Sequence, residues 1–256
     1  MISSMRMSIV CLMILLFVCL GCSNSIQILS HKNDNGIIKI DGLDDDWKKE
    51  NMEVIKDSKI AVGIAYDENY IYLGLAPLDR GVATQMMMMG FTVWFDSTGN
   101  GKKILGIRYP IGFDGAMPMN ERGQNENPFE DIMKNKLNEV EIIGPGKYDR
   151  MRLTVYELSG ITVKLTTQKN GMFFELKVPL HASTNFPYAI NTGVGKPLSI
   201  LLETGEFKRP GFGGGMRGGG LPGGGGRMPG GNPQMGGSPE MPKPIKVHLT
   251  TTLSIR

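Results

Sequence analysis

The feature that most constrains this chain is a recurrent two-residue alternation of apolar and small or polar side chains, confined to short runs. Ile60, Val62, Ile64 and Tyr66 alternate with Ala61, Gly63 and Ala65. Phe91, Val93 and Phe95 alternate with Thr92 and Trp94. Met172, Phe174, Leu176 and Val178 alternate with Phe173, Glu175 and Lys177, and Val247 to Ile255 repeat the pattern at the end. Alternation of this kind puts successive side chains on opposite faces of a half-buried strand. Turn signals separate the runs: Asp67-Glu68-Asn69, Ser97 to Gly101, Gly144-Pro145-Gly146 and Lys169-Asn170-Gly171. Many short strands at such spacing predict an all-β fold, a single two-sheet antiparallel β-sandwich of the jelly-roll kind. Only Asp44 to Asn51 and Phe129 to Leu137 read as short helices. The run Met86 to Met89 reads as a flexible apolar strand or loop; its soft thioethers would suit copper(I), but a packing role is the simpler account.

Two stretches do not fit a core. Of 35 glycines, fifteen fall between Gly211 and Gly237. That tract has no periodicity and few bulky residues, so it cannot build a hydrophobic interior. With strand-like Leu198–Glu203 before it and Ile245–Ile255 after it, residues 208–243 are expected to form a long, disordered hairpin insertion. Arg217 and Arg227 beside glycines are like nucleic-acid-binding segments. The net charge of only +3 and the export signal described next argue against such a partner, so no nucleic acid is expected.

The other stretch is the N-terminus. Arg6 precedes an apolar run from Ile9 to Leu20 that ends in Gly21-Cys22. The run is shorter than the roughly 20 residues a helix needs to cross a hydrocarbon core, and it reads as an export signal. Cys19-Leu20-Gly21-Cys22 resembles the lipobox of bacterial lipoproteins, with Cys19 where Leu, Val or Ile is usual. The resemblance implies lipidation of Cys22, with the membrane as partner through that lipidated N-terminus. The expected organisation is a signal peptide over 1–21, a polar tether over 22–35 and the sandwich over 36–256. Ser23 and the lack of acidic residues after it imply an outer-membrane lipoprotein facing the periplasm, with surface exposure left open. All three cysteines (Cys11, Cys19, Cys22) lie in this region. The body therefore has no disulfide, Cys-zinc site or cysteine nucleophile.

Three segments carry a family resemblance. Ile38 to Trp47 (IKIDGLDDDW), Val62 to Leu75 (VGIAYDENYIYLGL), and the pair Phe91–Lys103 with Gly171–Leu180 match, in order and spacing, motifs of family 9 carbohydrate-binding-module-like (DOMON-like) β-sandwiches. The chain resembles members of that family found in lipoproteins of Bacteroidetes-type bacteria. The resemblance implies a glycan ligand held between two tryptophans, calcium in some members, and a strand glutamate at Glu175.

Physical reading of the same residues gives the candidate sites. If Phe91, Val93 and Phe95 face the core, Trp94 faces out near Asp96, with Arg108 or Tyr109 of the next strand beside it. Trp94, Asp96, Arg108 and Tyr109 are therefore the candidate ligand-binding set. Asp41, Asp44 and Asp45 could offer oxygen ligands to calcium, although capping or solvated acids need no metal. Asp44 would cap a short helix, and Trp47 would pack onto the sandwich. Asp96 to Gly101 matches the first half of a calcium loop, but Ile107 stands where a bidentate glutamate is required. It reads instead as a hairpin turn with positive φ at Asn100-Gly101.

Catalysis finds little support in the residues. His31, His181 and His248 are scattered, and no nucleophile elbow or nucleotide-cradling motif occurs. The expectation is a non-catalytic envelope lipoprotein binding a glycan weakly. The alternatives are a structural or assembly lipoprotein with an envelope protein partner, or a domain assisting a polysaccharide-degrading enzyme.

Overall fold

The computed structural model describes residues 25–33, 36–113, 136–146, 149–168, 171–206 and 242–254. The signal peptide with Cys22, almost all of the glycine-rich tract, and most of the helix expected over Phe129–Leu137 lie outside those residues. Among the described residues, thirteen strands form two sheets. The seven-stranded sheet contains β1 (Ile26–Gln27), β6 (Phe91–Asp96), β7 (Leu105–Arg108), β8 (Glu139–Ile143), β9 (Arg150–Thr154), β12 (Pro197–Thr204) and β13 (Lys246–Thr252). Its order is β1-β13-β12-β6-β7-β8-β9. The six-stranded sheet has the order β10-β11-β5-β4-β2, with β3 also paired to β4. Its strands are β2 (Ser30–Lys32), β3 (Met52–Ile55), β4 (Ile60–Tyr66), β5 (Tyr70–Pro77), β10 (Thr162–Gln168) and β11 (Gly171–Pro179). The architecture is a two-sheet β-sandwich.

The alternating apolar residues meet between the sheets, as the two-residue period requires. Val62, Leu73, Leu75, Phe174 and Leu176 of one sheet and Phe91, Val93, Ile107, Ile200 and Leu202 of the other all belong to one buried cluster. Phe91 and Phe174 pack edge to face with centroids 5.5 Å apart, an arrangement the ring quadrupoles favour.

All seven residues of β4 are buried, which an exposed sheet face would not allow. A second layer explains it. The segment from residue 36 to β3 lies across the outer face of the six-stranded sheet, and Trp47 packs there with Ala65, Tyr72 and Phe173 in a smaller cluster. Small residues in the outward positions of β4 leave room for the indole.

Three local expectations differ from the structure. The stretch read as a polar tether supplies β1 and β2, which pair in parallel with β13 and β4. Ile28 between them is buried, so this part of the chain crosses from one sheet to the other and adds parallel pairings to an otherwise antiparallel sandwich. Asp44–Asn51 is not an α-helix: a turn closes from Trp47 N–H to Asp44 O, followed by a single 3-10 turn, Lys49–Asn51, with no side-chain cap. The methionine run is neither strand nor loop. It completes helix α1 (Arg80–Met89), whose N-cap Asp79 accepts from the N–H groups of Gly81 and Val82. Gly90 ends the helix at φ 76°, a conformation glycine adopts without steric cost. Met86 is buried, and α1 packs against β5, β11 and β12.

Strands β12 and β13 are ladder partners from Pro197↔Thr252 to Glu203↔Lys246. Thr204 and Ile245 hold the far end together: the Thr204 N–H donates to Ile245 O at 3.1 Å, and Thr204 Oγ1 accepts from Ile245 N–H at 3.0 Å. The side-chain amide of Gln85 donates to Thr204 Oγ1 and to Lys243 O. Among the described residues no helix is long and apolar enough to cross a membrane.

Candidate functional site

Strand pairing decides what surrounds Trp94. Across the sheet it stands in the row Leu201–Trp94–Gly106–Ile143. Gly106 has no side chain, so the indole settles onto its backbone: a Cβ built there would sit 2.7 Å from both Cε3 and Cζ3. Nε1 of Trp94 donates to Glu203 Oε1 at 2.9 Å. Lys103 Nζ bonds the same carboxylate at 2.6 and 2.7 Å and lies 5.2 Å from the ring centroid. The result is a half-buried aromatic plate lying on a glycine, pinned at its N–H, with one cation at its outer side.

The other candidate residues separate from it. Arg108 pairs with Thr92 and shares the outer face; it lies 3.6 Å from Glu141 Oε2, which is equally far from Arg150. Its Nη2 also donates to Met89 O at 3.4 Å. Tyr109 points the other way, because neighbouring strand residues project to opposite faces. It joins the inter-sheet core, 3% exposed, against Phe174. Asp96 shares the parity of Trp94 but is 1% exposed and turned into its own loop. Its Oδ1 accepts from Thr98 N–H and Thr98 O–H, and its Oδ2 from the N–H groups of Asn100 and Lys102. Burial works to raise its pKa, but these donors outweigh that and hold the carboxyl below the usual range. Every acceptor position of Asp96 on this side is thus engaged by its own turn. The turn itself takes its positive φ at Gly99 and Gly101, not at Asn100.

The acidic trio is not a cluster. Asp41 accepts from Leu43 N–H at 2.9 Å, while the Asp44 and Asp45 side chains are exposed. Among the described residues no group of three or more His, Cys, Asp or Glu could hold a metal ion.

Sequence reasoning missed Glu203, Lys103 and Gly106, which shape the Trp94 surface. Only strand register brings them together, and register is not visible in any one segment. Trp47, expected to pack onto the sandwich, does so and forms a second tryptophan plate. Trp47 lies on the outer face of the six-stranded sheet over Gly63 and Gly74, directly paired residues whose added Cβ atoms would come within 2.7 Å of the indole. Its Nε1 donates to Glu175 Oε1 at 2.8 Å. Glu175 Oε2 accepts from the N–H groups of Asp41 and Gly42 at 3.0 and 2.6 Å. Burial pushes the Glu175 carboxyl up, against the pull of these three donors. Trp47 is 7% exposed: the overlying chain covers it, so the accessible tryptophan is Trp94.

His248 Nε2 and Ser199 Oγ lie 3.1 Å apart. Ser199 is buried and also directed to Leu249 O, so this pair ties β12 to β13 and is not exposed as a nucleophile.

No protein-family model matches the chain, and no curated protein matches it. Among solved structures, it is similar to a family 9 carbohydrate-binding module from Caldicellulosiruptor kristjanssonii in complex with glucose, at 13% identity and a TM-score of 0.34 over 71% of this chain and 79% of that one. A structure of a family 9 module from the same organism in complex with cellotriose is similar at 11% identity and a TM-score of 0.36, over 71% and 77%.

Proposed function

We propose that the chain is a non-catalytic, lipid-anchored module of the bacterial cell envelope that holds a glycan weakly on the outer face of the seven-stranded sheet. The observation that carries this reading is the half-buried indole of Trp94, laid flat on Gly106 with the polar side chains of Glu203 and Arg108 beside it and Lys103 over its ring. A sugar ring presents C–H groups to such a plate and hydroxyls to its polar rim. Covering about 100 Å² of apolar surface contributes about 2.5 kcal/mol. Millimolar binding needs about 4 kcal/mol net, so two or more hydrogen bonds from the rim are required and affinity stays in the millimolar range or weaker.

The test follows the Trp94 indole N–H resonance during titration with cellotriose, after a glycan array has ranked ligands. Saturable shifts that vanish in Trp94→Ala, with the remaining spectrum intact, support the reading. An unshifted indole with every array ligand defeats it. The envelope address rests on Arg6, the Ile9–Leu20 run and Gly21-Cys22. Metabolic labelling with an alkyne fatty acid should mark the wild-type chain and not Cys22→Ser.

A second reading has one observation in its favour. Glu203, Lys103 and Trp94 already satisfy one another, as they would on a surface that serves assembly with an envelope protein. That reading predicts no array ligand, and a partner recovered by cross-linking in intact cells.

A further inference from the structure

The chain enters the sandwich close to Cys22. Strand β1 begins at Ile26, four residue steps on, and even a fully extended chain spans at most about 14 Å over that length. The pairing of β1 and β2 into the sheets has used up the stretch that would otherwise give slack between Cys22 and the folded body. β1 runs parallel to β13, with Ile26 opposite Leu249. Going back from Ile26 therefore leads toward the end of the sandwich where β13 starts at Lys246.

An open cleft of about 610 Å³ lies at that end, lined by Ile26, by Lys243 and Lys246, and by Asp57 and Ser58 of the turn between β3 and β4. Leu78 stands beside the same turn, its N–H donating to Lys59 O at 2.8 Å. Ile26 and Leu78 are both exposed. Around them Lys56, Lys59, Arg80, Lys243 and Lys246 are exposed cations. The carboxylates at this end are Asp57, Asp79 and Glu206, the last just past the clasp of Thr204 with Ile245. Asp79 is held by Lys59 at 3.3 Å, whereas Lys56, Arg80, Lys243 and Lys246 form no ion pair with a described residue. This end thus joins a cationic excess, two exposed apolar side chains and the point where the chain leads back to Cys22.

We infer that this end of the sandwich docks on an anionic lipid surface, with the lysines on the headgroup phosphates and Ile26 and Leu78 at the headgroup boundary. The inference rests on the reading of Cys22 as lipidated. So short a tether brings the lysines up to the leaflet, and basic residues there are drawn to anionic lipid over about 8 Å. The sandwich then stands on its end, and the outer face that carries Trp94 rises from the membrane and stays open to a glycan.

The experiment places the full acylated chain, with labelled Ile, Leu and Val methyl groups, in nanodiscs doped with a gadolinium-headgroup lipid. One set of discs is phosphatidylcholine alone, and the other is phosphatidylcholine and phosphatidylglycerol in equal parts. Val194 is the reference: its neighbour Gly195 bonds Leu253 O, past the far end of β13, about 20 Å from Lys246. In the anionic discs the Ile26, Ile55 and Leu78 methyls should be attenuated several times more than Val194. That attenuation should fall about threefold in the neutral discs, and again in the triple variant Lys56→Glu, Lys243→Glu, Lys246→Glu, with the remaining spectrum in place. Unchanged attenuation in either arm overturns the inference. An end covered by residues 207–241 or by a second copy would leave Ile26 and Ile55 as weakly attenuated as Val194, and overturns it too. Co-elution with the disc reads the anchor by itself. A wild-type chain that does not co-elute defeats the Cys22 reading and the inference with it, whereas one that co-elutes with equal attenuation at both ends defeats the inference alone.

Discussion

Trp47 Nε1 and Glu175 Oε1 are joined across the outer face of the six-stranded sheet at 2.8 Å, and Trp94 and Glu203 repeat the relation on the opposite sheet at 2.9 Å. In both, a tryptophan lies on glycine and donates to a glutamate; Glu175 stands in the row of Gly63 and Gly74, and Glu203 in the row next to that of Trp94. The difference is cover: the first pair is sealed by the chain around Asp41 and Gly42, and the second faces solvent beneath Lys103.

Glu175→Gln tests the sealed pair. The carboxylate accepts from three N–H groups, whereas an amide must turn a donor toward at least one of them. Chemical denaturation should show a loss of about 1–3 kcal/mol. The pH dependence should change as well. The folded-state pKa of Glu175 is raised above 4.5, so the folded chain holds the extra proton between the two values, and stability falls as pH rises through that window. The Glu175→Gln variant should lack that component, and an unchanged slope would remove Glu175 as its source.

Gly74→Ala and Gly106→Ala probe the glycine beds. In each, the new Cβ would fall 2.7 Å from indole atoms, closer than van der Waals contact allows. Overpacking of this kind costs about 1–3 kcal/mol. Gly74→Ala should be the worse, because Trp47 is covered and cannot lift away. Gly106→Ala should be largely relieved in a Trp94→Ala background. A double-mutant cycle with no coupling would contradict the stacking.

Asp96 sets an acid limit. Its folded-state pKa is depressed below 3.8, so its contribution is complete above that value and is lost as pH falls through the folded one. Thermal unfolding from pH 5 to pH 2 should show this loss in the wild type. Asp96→Asn should be less stable near neutrality and flatter across the acid range.

Lys103→Ala should uncover the Trp94 plate. Surface ion pairs contribute within about 1 kcal/mol, so stability should change little. The Trp94 indole resonance should move, and cellotriose binding should persist. If binding disappears, Lys103 is a ligand contact and not a cover.

How much of this was legible depends on range along the chain. Alternation placed Phe91, Val93 and Phe95 inside and Trp94 outside, because parity is a local property. The same parity separates Arg108 from Tyr109: Leu105, Ile107 and Tyr109 fall on one face, so the two could not both have flanked Trp94. Helix α1 carried end signals, with Asp79 before it and Gly90 after it, that the methionine run obscured. Ile26, Ile28 and Leu29 form a short apolar signal, but the polar residues on either side of it made the whole stretch read as a tether. The joining of Glu203 to Trp94, and of Glu175 to the chain at Asp41 and Gly42, depends on register between segments more than a hundred residues apart, and no single segment encodes it.

The closure of Thr204 on Ile245 has a consequence for how this gene can change. The clasp lies beyond the last ladder pair, Glu203 with Lys246, so insertions or deletions between Thr204 and Ile245 fall outside every ladder pairing of β12 with β13. An insertion at that seam should therefore cost the sandwich only the closure entropy of a longer loop, which grows with the logarithm of its length.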